Sequence, residues 1–245
     1  MTPEARDAVR WHDLECGSYD VDLELWRELA AAAAGPVLDV GAGTGRVALD
    51  LARRGVGVTA LDADAPLVEE LRERARAQGL TVATHVADAR ELAVAGTFAA
   101  ILVPMQTIQL LGGPEGRRAF LSRARGRLRP GGLLAAALAD ALESYDAAHT
   151  EPPLPDMREF DGVLYSSRPV AVRDEGPSVA IVRLRETVDP DGRRVAAQDV
   201  VRLDRLDART LEAEGRACGF AVAPRRRIPQ TDEYVGSSVV VLRAP

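Results

Sequence analysis

Two residue types are missing altogether: the 245-residue chain contains neither lysine nor asparagine. All 31 basic residues are therefore arginine, and both absences fit a genome rich in G and C, which avoids those codons. The arginine content reads first as that bias and only second as phosphate recognition. Set against 37 acidic residues it leaves a net charge of −6. That is the wrong sign for a chain that neutralises many phosphates, so no nucleic-acid partner is expected. Cysteine is scarce, and Cys16 and Cys218 form no spaced cluster, so neither a disulfide framework nor a metal site is implied. No apolar run approaches the roughly eighteen residues of a membrane span. The first residues, MTPEARDAVRWHDLE, are charged and lack the apolar core of an export signal. The expectation is a cytoplasmic protein with no membrane partner. What is present is ordinary for a globule, 47% hydrophobic and 28% charged residues, with length for one α/β domain and one extra element.

Hydrophobic periodicity sets the organisation. Residues 4–34 read as helix, with Val21, Leu25 and Leu29 at helical spacing and an alanine run that favours it; Gly35-Pro36 ends it. VLDV (37–40) is a short buried strand that runs straight into glycines, and 46–53 is a helix closed by Gly55. The pattern repeats with strands at 56–62, 80–88, 98–104 and 133–140, the last delivered by the turn 129–132, and a charged amphipathic helix at 66–78. Strands alternating with helices predict a mainly parallel, doubly wound sheet, covered on both faces, whose ligand lies at the C-terminal strand ends. After residue 143 the character changes. A proline-rich loop, EPPLP (151–155), precedes three alternating runs, 163–173, 178–188 and 193–203, joined at the last step by an Asp-Pro-Asp-Gly turn. These predict an antiparallel meander inserted into the fold, before a final helix (208–218) and two strands (220–225 and 237–242).

The segment Asp39-Val40-Gly41-Ala42-Gly43-Thr44-Gly45 sits between a strand and a helix. Glycines there let the backbone turn sharply and approach a ligand, with helix N–H groups facing it. The spacing is G-x-G-x-G, not the G-x-G-x-x-G of a dinucleotide site. An acid precedes the first glycine, and a carboxylate there would repel a pyrophosphate but suits a cationic amino group.

VLDVGAGTGRVALDLA resembles motif I of the class I S-adenosylmethionine (SAM)-dependent methyltransferases, and the resemblance extends over roughly the first 140 residues. It implies a Rossmann-like, seven-stranded sheet and a SAM site that includes Asp39, Gly41, Ala42, Gly43 and Gly45. Asp62 matches the acid that accepts both ribose hydroxyls, and Ala63 the residue against the adenine face. Asp88 and Ala89 match the pair that reads the adenine edge. Val103 and Gln106, in VPMQTIQLL, match the segment beneath the methyl donor, and Tyr19 is similar to an aromatic that closes over the cofactor. The implied parts are an N-terminal helical lid (1–34), a SAM-binding core (35–142), the antiparallel insertion (143–206) and a C-terminal helix with a strand hairpin (207–245). The implied reaction moves a methyl group from SAM to a nitrogen or oxygen of a small-molecule acceptor and leaves S-adenosylhomocysteine. A non-catalytic SAM-binding protein is the alternative, as a monomer or homodimer in either case.

Two features depart from the family. Leu110 stands where many relatives carry histidine, which removes an obvious general base, and the Asn/Asp-Pro-Pro-Tyr motif of base-modifying enzymes is missing. No catalytic residue is assigned and no metal is implied. Other conspicuous residues have plainer readings. Trp26 belongs to the core, and Trp11 and Tyr19 divide between core and pocket. His12 faces solvent, His85 is structural and His149 lies in a loop. Gln106 and Gln109 line the donor pocket or satisfy backbone groups. Asp64 is the better N-cap for the helix at 66, which leaves Asp62 for a ligand. Arg225, Arg226 and Arg227 form a solvated strand edge, and Cys218 is a buried helix residue.

Overall fold

The computed structural model describes residues 1–139, 142, 144–148, 153–231 and 235–245; His149 lies outside them. In chain order the elements are α1 (Pro3–Cys16), α2 (Leu23–Ala33), β1 (Val37–Val40), α3 (Arg46–Arg53), β2 (Val58–Asp62), α4 (Ala65–Ala77), β3 (Val82–Val86) and β4 (Phe98–Val103). A single 3-10 turn (Thr107–Leu110) follows, then α5 (Gly113–Arg127), β5 (Leu128–Leu138), β6 (Tyr145–Asp146), β7 (Asp156–Phe160), β8 (Val163–Asp174), β9 (Ser178–Val188) and β10 (Arg194–Asp204). The chain closes with α6 (Ala208–Ala217), β11 (Ala221–Val222), β12 (Arg226–Ile228) and β13 (Ser237–Arg243). Contacts group these into two units, Met1–Tyr19 with Leu142–Arg205, and Asp20–Ala141 with Leu206–Pro245.

The larger unit is built on a sheet of order β11-β13-β5-β4-β1-β2-β3, with β12 pairing β13 as an eighth strand. Strands β1 to β5 run parallel and β13 runs antiparallel to β5. The sheet is Rossmann-like, as expected, with one strand more than the expected seven; the extra strand is the short β12. Both faces are covered, so β1 and β4 are buried along their whole length, as parallel strands in such folds are. The strand period of two sends Leu38 and Val40 to one face, where they join Ile101, Val103, Phe120, Leu121 and Leu211 in the core. Asp39 points to the other face. On the first face Arg117 of α5 is 3% exposed and reaches Glu214 of α6 with two N–H groups, at 2.8 and 2.7 Å. A buried guanidinium is tolerated there because both its forks are satisfied.

Residues 4–34 do not form one helix. Gly17 follows α1, and a second helix starts only at Leu23. At the start of α2 the buried Asp22 carboxylate accepts from the Trp26 indole at 2.7 Å and from Arg46 of α3 at 2.5 and 2.8 Å. That pairing anchors the start of α2 to the start of α3. Likewise β5 begins at Leu128, five residues before its expected start, because the Pro-Gly-Gly stretch is absorbed as an irregularity in the ladder to β4.

The smaller unit is an antiparallel sheet of order β10-β9-β8-β6, with β7 also on β8. Its three long strands begin and end within one residue of the alternating runs in the sequence. Helix α1 lies on one face. Glu15 accepts from Arg185 at 2.7 Å through each oxygen and from the Ser167 hydroxyl at 2.7 Å. Burial pushes the Glu15 carboxyl up, but the hydrogen bonds from Arg185 and Ser167 outweigh it and hold it below its ordinary value. Tyr165 donates to Asp7 at 2.6 Å, accepts from Arg10 at 3.0 Å, and meets Trp11 edge-on with ring centroids 4.8 Å apart. His12 is half-buried on this helix.

Two glycines of α5 should respond to alanine with opposite signs. A Cβ on Gly116 would lie 1.7 Å from the Leu111 carbonyl oxygen, whereas one on the exposed Gly126 would meet nothing within 4 Å. Urea unfolding should show Gly116→Ala losing about 1–3 kcal/mol to overpacking and Gly126→Ala gaining about 0.5–1 kcal/mol from helix propensity. Equal effects would contradict the packing of α5 described above.

Candidate functional site

The sheet order reverses at β1, where the chain leaves toward β2 and β3 and later returns to β4 on the other side. Open α/β sheets hold ligands at the carboxyl ends of the strands flanking such a reversal, and the glycine turn lies there. Gly41, Gly43 and Gly45 have φ of +72°, +53° and +97°, a region glycine enters without the strain other residues meet. Gly41 has a second reason to lack a side chain, since a Cβ would fall 2.4 Å from the Thr107 hydroxyl oxygen. The segment after β4 thus presses onto the turn after β1. The turn is tied on its other side too: the N–H groups of Gly41 and Ala42 donate to the Leu61 carbonyl at 2.8 and 3.1 Å.

Asp62 ends β2, and its carboxylate is fixed by two backbone donors. Gly43 N–H reaches Oδ2 at 2.8 Å and Asp64 N–H reaches Oδ1 at 2.9 Å. Each oxygen keeps capacity for a further donor, so the group presents two fixed acceptors suited to a pair of adjacent hydroxyls. Asp64 is the N-cap of α4, accepting from Leu67 N–H at 3.2 Å, so the neighbouring acids divide the two tasks. Ala63, between them, is exposed. The Asp62 carbonyl accepts from Ala87 N–H at 2.9 Å, which sets the end of β3 beside it and brings Asp88 and the buried Ala89 to the same edge.

Asp88 is already engaged. Arg90 donates its own N–H at 2.8 Å and closes on both carboxylate oxygens with its guanidinium, at 2.5–3.0 Å. That hydrogen-bonded guanidinium holds the Asp88 carboxyl below its ordinary value.

Asp39 stands in the opposite condition. It is 1% exposed and neither carboxylate oxygen has a hydrogen-bond partner. Burial pushes its pKa up to about 7; Arg46 and the backbone N–H of Ala48 oppose the rise, while Asp62 and Asp22 add to it. A buried acid left in that state fits a cationic group arriving from outside.

After β4, Val103 is fully buried, Met105 takes a φ of +53°, and Gln106 is half-buried. A methionine in the left-handed region carries backbone strain, which collects at sites that hold ligands. Gln109 satisfies backbone groups: its side-chain amide accepts from Ala139 N–H at 2.8 Å and donates to the Ala139 carbonyl at 3.3 Å. Leu110 is 53% exposed and puts no proton acceptor at that position. Tyr19 is buried and belongs to the smaller unit. Trp26 is fully buried, and Cys218 is a half-buried helix cap. Arg225, Arg226 and Arg227 are exposed, the last two on the peripheral strand β12, and Arg225 and Arg226 pair with Glu212 and Glu28. Sequence reasoning passed over Asp22, Arg90 and Thr107, whose parts depend on what folds against them.

Residues 37–132 match a family model described as a methyltransferase domain. The ubiquinone biosynthesis O-methyltransferase of Cereibacter sphaeroides is 32% identical over 98 residues, 40% of this chain and 38% of that protein; the match thus spans well under half of that relative's length. An amino pentose methyltransferase from Micromonospora echinaspora involved in calicheamicin biosynthesis, solved with SAM bound, superposes with a TM-score of 0.72 at 19% identity, covering 99% of this chain and 96% of that one. A methyltransferase from Streptomyces caelestis gives 0.68 at 21% identity, covering 92% and 90%. Residues 37–132 thus match a methyltransferase domain, and the chain shares its fold with these solved methyltransferases.

The Asp39 environment makes a prediction about pH. Between about pH 4 and 7 the unfolded chain has Asp39 ionised while the folded chain keeps its proton, so this group's contribution to stability falls as pH rises through that window. Asp39→Asn removes the contribution. Thermal unfolding across that range should show the variant gaining on the parent protein as pH rises, with no further gain above about pH 7. A constant difference between the two would show that Asp39 is ionised throughout.

Proposed function

We propose that the protein is a SAM-dependent methyltransferase that transfers the sulfonium methyl group to a nitrogen or oxygen of a small-molecule acceptor and releases S-adenosylhomocysteine. The observation that carries this reading is the Asp62 carboxylate, fixed by Gly43 N–H and Asp64 N–H at the end of the strand beside the glycine turn. A carboxylate held this way offers its remaining lone pairs to the 2′ and 3′ hydroxyls of a ribose, a chelate that ligands without a diol cannot match.

The other residues take their parts around that anchor. Asp39 holds the amino group of the methionine moiety, whose positive charge supplies the partner its buried carboxylate lacks. Gly41, Ala42, Gly43 and Gly45 admit the ligand close to the backbone. Ala63 bears on the adenine face. Asp88 and Ala89 read the adenine edge, with the Asp88 oxygens shared between the exocyclic amine and Arg90. Val103 and Gln106 lie beneath the donor. When bound, SAM supplies an already reactive methyl electrophile, so the chain's task is alignment and exclusion of water. With leucine at position 110, the acceptor's nucleophile is an amine held neutral or a hydroxyl acidic enough to ionise by itself.

Calorimetric titration with SAM and S-adenosylhomocysteine tests the reading. Intact protein should bind both, and Asp62→Ala should weaken binding about a hundredfold or more, as loss of two hydrogen bonds to a charged acceptor implies. Folded protein that binds neither ligand would end the methyltransferase reading. Binding without turnover on a panel of amines and phenols would favour a non-catalytic SAM-binding protein.

A further inference from the structure

Asp62 and Asp88 are held in different ways. Asp62 receives main-chain N–H groups from two separate segments. Among the described residues, every donor to the Asp88 carboxylate belongs to Arg90. The Arg90 backbone N–H reaches Oδ1 at 2.8 Å, its Nε lies 3.0 and 2.9 Å from the two oxygens, and its Nη2 lies 2.5 Å from Oδ2. A carboxylate has about four lone-pair directions, so these N–H groups leave it about one. The arginine is confined in turn. Its side chain runs past the start of α5, where a Cβ on Gly112 would lie 3.6 Å from Nη1 and one on Gly116 3.3 Å from Cδ. The fold itself gains little from this clasp. A cation at the amino end of a helix opposes its dipole, and the pair is open to water, with side-chain exposures of 52% for Arg90 and 34% for Asp88.

We propose that Arg90 is a positioning residue for the cofactor: it locks the Asp88 carboxylate as an acceptor for one N–H of the exocyclic amine, and so makes the site choose adenine over hypoxanthine. This inference rests on the reading of the chain as a SAM-dependent methyltransferase. A locked carboxylate meets the amine of adenine without first having to be ordered. Hypoxanthine has a keto oxygen at that position, and a carboxylate that cannot turn away sets acceptor against acceptor. Freed from Arg90, the half-buried Asp88 side chain swings toward water. The wrong base is then admitted more readily, and the right one loses its preset acceptor.

The test is calorimetric titration of the full chain with S-adenosylhomocysteine and with S-inosylhomocysteine, its hypoxanthine counterpart. Arg90→Ala, Arg90→Lys, Asp88→Asn and the Asp88→Asn/Arg90→Ala double variant are titrated beside the parent, with circular dichroism to confirm that all are folded. The parent should prefer the adenine ligand, and Arg90→Ala should narrow that preference about tenfold or more. Arg90→Lys, which keeps the charge but loses the fork, should fall between the two. In the Asp88→Asn background, Arg90→Ala should change the preference no further, because the two residues act as one unit. An Arg90→Ala variant that weakens both ligands equally, or neither, overturns the inference while leaving the methyltransferase reading intact. So does a parent that binds both ligands equally, or an Arg90→Ala effect that persists in full beside Asp88→Asn. A folded parent that binds neither ligand overturns the methyltransferase reading, and this inference with it.

Discussion

The turn after β1 is squeezed from two directions. Thr107 occupies the space a side chain on Gly41 would need, and the Leu61 carbonyl holds the N–H groups of Gly41 and Ala42 from the β2 side. Three residues at positive φ let the chain pass through that gap and still enter α3 at Arg46. Everything else at the site takes its position from this passage. Gly43 N–H is aimed at Asp62, Asp62 in turn receives the chain entering α4, and the Asp62 carbonyl sets the end of β3. A side chain on Gly41 would drive Thr107, and with it the segment after β4, away from the turn.

Much of this was legible in the sequence because it rests on local chemistry. The strand at 37–40 and the helix at 46–53 have the bounds read from the residues, since an apolar run, a glycine cluster and an amphipathic helix follow one another without ambiguity. The three long strands of the meander were equally plain, because each strand-forming run is bounded by turn residues and the Asp-Pro-Asp-Gly turn is chemically specific. What escaped notice depends on distant partners. The break between α1 and α2 was hidden by good helix formers on both sides, and the Asp22–Arg46 pair beside it joins residues twenty-four positions apart. Arg90 looked like an ordinary loop arginine until it folded back on Asp88. Gln109 had two readings, and its pairing with Ala139 joins residues thirty positions apart. Residue spacing carries no record of such meetings.

The site also contains an internal opposition. Asp88 and Asp62 are comfortable without a ligand, the first clasped by Arg90 and the second by backbone N–H groups. Asp39 is not, for its oxygens are buried without partners. A carboxylate in that state lowers the stability of the folded chain at neutral pH and is retained only where something else compensates it. Under the proposed function the compensation is the ligand's ammonium group, and part of the driving force for binding is relief of a charge the fold alone leaves unsatisfied.

The absence of lysine has a consequence for handling the protein. Each described ion pair uses a guanidinium, from the buried Arg117–Glu214 fork to the Arg185–Glu15 clasp. Guanidinium groups keep their proton well into alkaline solution, where ammonium groups have begun to lose theirs. They are also poor nucleophiles toward acylating reagents. Across these 245 residues no side chain offers a primary amine, so amine-directed dyes, cross-linkers and surface chemistries would leave every one of these side chains unmodified.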